Sequence, residues 1–309
     1  MSIKSCYFDN LDEAIRFIES FAETKEDKDF LFRGHSNAEY RLCTTMHRFC
    51  SIPYEDWSSD IDFMLESFIS GLAKLGINPI DSESRLDWME YARHHGVPMP
   101  CIDFSYSPYV ALFFAFNGIR KQYPKPETPK YSVVYVLDVG QMGEIWARFA
   151  TKLSKENSGS VFHRFRYPEG ELFQSGFPAG VLQLIPFPGK YNNRMQRQFG
   201  ALLYDTLNYR HLGFMDIEEF IEKQEEPQEA LPDGTTKTGS PILTKLYIDQ
   251  QYVSDVFTKL ELMGMTGGTL YMDPNGVALD VINSYNYNHK TQYLRGIKFP
   301  KIDESKLHK

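Results

Sequence analysis

The sequence predicts an α+β fold, with a helical N-terminal part packed on a mixed or antiparallel sheet. Three observations carry this. Helix-period apolar patterns concentrate in the first 120 residues, runs rich in β-branched and aromatic residues follow, and no regular strand–helix alternation joins them. The 309 residues are enough to bury a substantial core. We expect one domain over residues 1–282, with a helical insertion at about 52–96 and a peripheral polar tail over 283–309.

The elements follow in chain order. "DNLDEAIRFIESFA" places Leu11, Ile15, Phe17, Ile18 and Phe21 at helical spacing, with Asp9 or Asn10 as cap. "DFLFRG" reads as a short strand ended by Gly34. "EDWSSDIDFMLESFISGLAKLG" is a second helix stopped by Gly76, and "SRLDWMEYARHHG" a third with Ser84 capping and Gly96 past its end. "PCIDF" reads as a buried strand. "SPYVALFFAFNG" is a helix with Ser107 at the N-cap, Pro108 at the first helical position and Gly118 after its end. Past Tyr123, "YSVVYVLDV", "VLQLIPF", "GALLYDT" and "ILTKLYI" read as strands. "PGKYNNRMQRQF" is expected to join two of them. "DIEEFIEKQEE" and "YVSDVFTKLELMG" read as helices, and "PQEALPDGTTKTGSP" as a linker or hairpin.

Composition excludes some function classes. A net charge of −8 gives no overall attraction for nucleic acid or an anionic membrane. No run approaches the roughly 20 apolar residues of a membrane span. The N-terminus lacks the apolar core of a signal peptide, so a cytoplasmic location is expected. The four cysteines, Cys6, Cys43, Cys50 and Cys101, have no paired spacing. We read them as reduced thiols and expect no metal site.

Two stretches concentrate chemistry. In "FLFRGHSN" an apolar run ends on Arg33 and Gly34. An arginine fork suits phosphate or ribose oxygens, and a glycine beside it lets a ligand approach the backbone. "WMEYARHHGVPMPCIDFSYSPYVALFFAF" packs His94, His95, Asp103, Ser105 and Ser107 around a helix–strand–helix passage. Structural roles stay open for each. Ser107 is a natural helix cap, Arg33 a natural ion-pair partner for Asp103, and His94 and His95 close a helix where they can serve its last carbonyls. Phe113, Phe114 and Phe116 read as core.

These blocks resemble the FRG domain family, named for the tripeptide at Phe32-Arg33-Gly34. The resemblance rests on His94-His95-Gly96, Pro98, Asp103, Ser105, Ser107-Pro108 and Ala111-Leu112-Phe113-Phe114-Ala115. Phe104 stands in place of the usual tryptophan, and Cys101 with Ile102 in place of a leucine pair. "NNRMQRQFGALLY" and "GMTGGTLYMDPNGVALDV" resemble later family blocks, so the likeness runs from about Phe32 to Ala278.

The block order is also similar to ADP-ribosyltransferases. That likeness implies an ADP-ribosyltransferase-like core taking NAD as donor substrate, with Arg33 as first element, Asp103, Ser105 and Ser107 at the second, and Gln196 and Gln198 at the third. The expected catalytic residues are Gln198, Gln196 and Asp103. The expected NAD-binding residues are Arg33, Gly34, His94, His95, Ser105 and Ser107. Cleavage at the nicotinamide ribose passes through a cationic state that a carboxylate usually steadies. The third block offers only glutamines, so Glu171 and Asp103 are the acidic candidates. Gln196 and Gln198 also alternate as one face of a strand entry would. The resemblance suits a bacterial toxin or antiphage effector acting on a protein or nucleic-acid acceptor and held by a neutralising protein partner. The alternative is a non-catalytic module that senses a nucleotide or phosphorylated ligand. A hydrolase using His94 or His95 with Asp103 is a third reading, weakened by the lack of a paired-carboxylate metal site.

Overall fold

The computed structural model describes residues 2–23, 30–49, 58–81, 85–119, 129–142, 182–186, 192–205, 216–223, 228–230 and 236–287. Glu171 and Ser84 lie outside them. The strands are β1 (Ile3–Phe8), β2 (Phe30–His35), β3 (Cys101–Ser105), β4 (Tyr131–Asp138), β5 (Leu182–Pro186), β6 (Gly200–Asp205), β7 (Gln228–Ala230), β8 (Thr236–Thr238) and β9 (Leu243–Asp249). The helices are α1 (Leu11–Ala22), α2 (Thr45–Phe49), α3 (Ser58–Lys74), α4 (Arg85–His94), α5 (Pro108–Phe116), α6 (Asn193–Arg197), α7 (Ile217–Glu222), α8 (Val253–Leu262), α9 (Gly267–Tyr271) and α10 (Pro274–Tyr287).

Seven strands form one mixed sheet in the order β1–β9–β4–β2–β3–β6–β5. Only β1 and β9 run parallel; the other neighbours are antiparallel. The strands β7 and β8 pair separately, so the linker stretch contains a hairpin. Among the described residues helices outnumber strands before residue 120, where β2 and β3 were expected and β1 is an addition. Strand β1 escaped the sequence reading for a physical reason. As an edge strand with Lys4, Ser5 and Tyr7 exposed, it shows no clean alternation.

Three apolar clusters hold the sheet. On one face α1, α5 and α8 pack on Phe32, Val134, Val136, Leu246 and Ile248. On the other, Ile217, Phe220 and Ile221 of α7 cover Leu31, Val133, Tyr135, Leu137 and Leu243. A third cluster joins α2, α3 and α4 to Cys101, Leu202 and Tyr204. Helix α5 is apolar on every side, as a helix wrapped by other elements must be; seven of its nine residues are buried. Its cap is Ser107, whose hydroxyl accepts from the Val110 N–H. Likewise Asn10 caps α1, accepting from Glu13 N–H at 3.1 Å.

Helix α10 runs through Tyr287, so the expected tail boundary at residue 283 falls inside it. Asn283 and Ser284 are buried, and Asn283 Nδ2 donates to Asn117 Oδ1 at 3.3 Å. Among the described residues no helix is long and apolar enough to cross a membrane. Cys6, Cys43 and Cys101 are free thiols.

Candidate functional site

The site begins where the sheet opens. Strands β2 and β3 share a single paired position, Phe32 with Ser105. Beyond it the ladder lapses and leaves strand carbonyls to be satisfied by other donors. Arg33 answers this need: Nη1 donates to the Asp103 carbonyl at 2.5 Å, and Nε donates to His35 Nε2 at 2.8 Å. The expected strand end at Gly34 is corrected by one residue, since His35 still pairs with Val133.

A cavity of about 330 Å³ fills the gap, within the usual range for small-molecule sites. Arg33, His35 and Arg48 line it on one side, Asp103, Ser105 and Gln198 on the other. Burial lowers the Arg33 guanidinium to about 10, against the pull of Asp103. Burial, with Arg33 and Arg48 nearby, lowers His35 to about 3, which keeps its imidazole neutral and able to accept from Arg33. Arg48 has no ion-pair partner among the described residues. The Asp103 carboxylate is claimed mainly by Arg93, while Arg33 Nη1 stands 3.9 Å from it. The cavity therefore faces an incoming group with more cationic than anionic character.

A second cavity, about 210 Å³, adjoins the first and shares Asp103, Phe114, Met195 and Gln198 with it. Its other walls include Glu90, Arg93 and His94 of α4, and Tyr271. Burial, aided by Asp87, raises the Glu90 carboxyl to about 7 despite a hydrogen bond from Asn192. Burial and the nearby Arg194 lower His94 to about 4. Asn192 ties these parts together. Its Oδ1 caps α6 by accepting from Met195 N–H at 3.2 Å, and its Nδ2 lies 3.2 Å from His94 Nδ1.

The "GMTGGTLYMDPNGVALDV" block builds the far wall. Asp280 accepts from the N–H groups of Gly267 and Gly268, each at 2.7 Å. A Cβ on Gly267 would lie 2.5 Å from the Gly276 carbonyl oxygen, so α9 and α10 touch backbone to backbone there. This sets Tyr271 beneath Arg194, whose guanidinium lies 4.3 Å from the ring centroid and also binds Asp273 at 2.6 Å.

The structure brings together Arg33, Gly34, Asp103, Ser105 and Gln198 in the first cavity, and His94 with Asp103 and Gln198 in the second. It separates the rest. Ser107 is spent on the α5 cap and lines neither cavity. His95 is exposed and packs its ring 4.4 Å from Tyr91. Gln196 is exposed, and the strand-face reading of the two glutamines is corrected. Gln196 lies in α6 and Gln198 at its C-cap, so a helical turn sends them in different directions. The close approach at Gly34 also has a different partner. A Cβ there would lie 1.9 Å from Ala111 O and 2.4 Å from Ala115 N, so it is α5 that needs the glycine.

Ser105 is engaged already: its hydroxyl donates to the Gln198 carbonyl at 2.6 Å and accepts from Ser107 N–H at 2.9 Å. The chain turns from α6 into β6 through Phe199, at φ 48°. Phe114, read from sequence as core, is half-buried and lines both cavities. His35, Arg48, Glu90, Arg93, Asn192 and Tyr271 were not singled out from sequence. One signal was available, because Glu90, Arg93 and His94 are spaced three and four residues apart and share a helix face.

Among the described residues no group of His, Cys, Asp and Glu could hold a metal ion. Compared with known families, residues 28–123 match the FRG domain, which takes in β2, the α4–β3 passage and α5 and stops before α6. Neither a curated protein nor a solved structure matches the chain.

Proposed function

Because residues 28–123 belong to the FRG domain family, we propose that the two-lobed cleft binds NAD and that the chain is an ADP-ribosyltransferase-like enzyme. The observation that carries this reading is the convergence of Arg33, Asp103 and Gln198, from three separate blocks of sequence, on one cavity with surplus positive charge. Arg48 and the outer face of Arg33 suit a pyrophosphate. Phe114 and Tyr271 supply aromatic walls for a heterocycle. Asp103 and the Gln198 amide supply hydrogen-bond partners for ribose hydroxyls. Attack at the ribose carbon releases nicotinamide, and the carboxylate beside it steadies the developing cation.

A second reading has its own support. Asp103 is already ion-paired with Arg93, and the Gln198 amide carries no charge. A cleft of this kind serves equally to sense a nucleotide or phosphorylated ligand without turnover. Labelled NAD separates the two readings. The enzyme releases nicotinamide, and Gln198→Ala abolishes release while NAD affinity stays within a few-fold, because that residue acts on the transition state. Binding without release supports the sensor. No binding at all overturns the NAD reading and leaves a sensor of another nucleotide or phosphorylated ligand. In a cytoplasmic toxin or antiphage setting, expression of the wild type slows growth and Gln198→Ala does not.

A further inference from the structure

We propose that Glu90 is the proton acceptor of the cleft, and that the acceptor nucleophile enters through the lobe Glu90 lines. The inference rests on the NAD reading and assigns to that site a residue of the second stretch that carries none of the expected roles. Its basis is geometric. Glu90 sits on α4 with its side chain in the second cavity, next to the first cavity across Asp103, Met195 and Gln198. Its Oε1 is buried and has no hydrogen-bond partner among the described residues. A buried carboxyl oxygen without a partner is costly in a folded chain, and such groups concentrate at functional sites.

The neighbours leave Glu90 as the group suited to this task. Asp87 and His94 come from its own helix, as does Arg93, which is committed to Asp103 of β3. From α6, Arg194 is committed to Asp273, and Tyr271 of α9 closes the lobe. His94 is held near 4 and stays neutral, with Nδ1 facing Asn192. Glu90 changes charge near neutrality, where a base both exists as carboxylate and can hold a proton. Water serves as the simplest nucleophile. Its oxygen forms a bond to C1′ of the nicotinamide ribose, the C1′–N1 bond breaks with its electron pair going to the pyridine nitrogen, and the proton of the water passes to the Glu90 carboxylate. ADP-ribose and neutral nicotinamide result.

The test uses the full chain, NAD as the only ligand, and nicotinamide release followed across pH beside equilibrium NAD binding. Wild-type release should rise with pH and level off above about 7. Glu90→Gln should flatten that profile and lower the plateau by about 10²- to 10⁴-fold, the contribution of a general base, with NAD affinity retained. Glu90→Asp should restore a rising profile at a reduced rate. Release in Glu90→Gln with the wild-type profile and rate overturns the assignment and leaves the NAD reading intact. Binding without release in wild type overturns the base and favours the sensor. Absence of NAD binding in a folded wild type overturns the reading on which the base rests, and the base with it.

Discussion

Replacing Glu90 by glutamine tests the electrostatics of the cleft without assuming any activity. In the fold, burial and Asp87 raise this carboxyl from 4.5 to about 7, against the lowering effect of the Asn192 hydrogen bond. The folded state therefore holds the proton more tightly than the unfolded chain. That contribution is fully present below pH 4.5 and is lost as the pH rises through about 7. At 1.36 kcal/mol per pH unit the full cost of ionising Glu90 in the fold is about 3 kcal/mol. The side chain keeps some contact with water, and screening reduces the expected figure to roughly 1–2 kcal/mol. Glutamine has the same shape and no charge to lose. Glu90→Gln should match wild type within about 0.5 kcal/mol near pH 4 and exceed it by roughly 1–2 kcal/mol near pH 8. Urea unfolding of both proteins across that range, read by circular dichroism, measures the difference directly. A difference that stays constant with pH, or a wild type that gains on the variant as pH rises, refutes the burial argument.

Three further outcomes follow from the same geometry. Gly34→Ala places a methyl 1.9 Å from Ala111 O, in a helix that cannot retreat without opening the core, so a loss of about 3 kcal/mol or more is expected in denaturant melts. A loss below about 1 kcal/mol would mean that α5 can shift. Arg33→Lys should weaken NAD binding nearly as much as Arg33→Ala, because lysine keeps the charge but loses the planar fork whose Nε and Nη1 reach His35 Nε2 and the Asp103 carbonyl from two nitrogens; a fully binding lysine variant in calorimetric titrations would show that charge alone matters. Phe199→Gly removes the cost of a left-handed backbone from an exposed side chain and should stabilise by about 1 kcal/mol in thermal unfolding, whereas a lowered Tm would mean that the ring contributes more than the strain.

The sequence by itself determined most helices and several strands, because each announces itself locally. Helix α1 has its apolar spacing and Asn10 cap, α5 its Ser107–Pro108 start, and β4 its β-branched run. Arg33 and Asp103 were also legible as candidates, since each breaks or ends an apolar run with a polar group that needs a reason to be there, whereas Gln198 was a candidate through the family resemblance. What they face was a tertiary decision. The single β2–β3 pairing opens the sheet beside Arg33, and no residue pattern within either strand encodes where a ladder lapses. Gly34 owes its identity to the backbone of α5, which reaches it only through the fold. Gln196 and Gln198 were separated by a short helical turn that five residues cannot specify alone. Glu90 was least legible. On its own helix it reads as one more polar residue, and its charge becomes costly when groups such as Met195 and Tyr271 close around it from distant parts of the chain, an effect that Asp87 adds to and the Asn192 hydrogen bond partly offsets. Desolvation belongs to the neighbourhood and not to the residue, so only the tertiary structure could supply it.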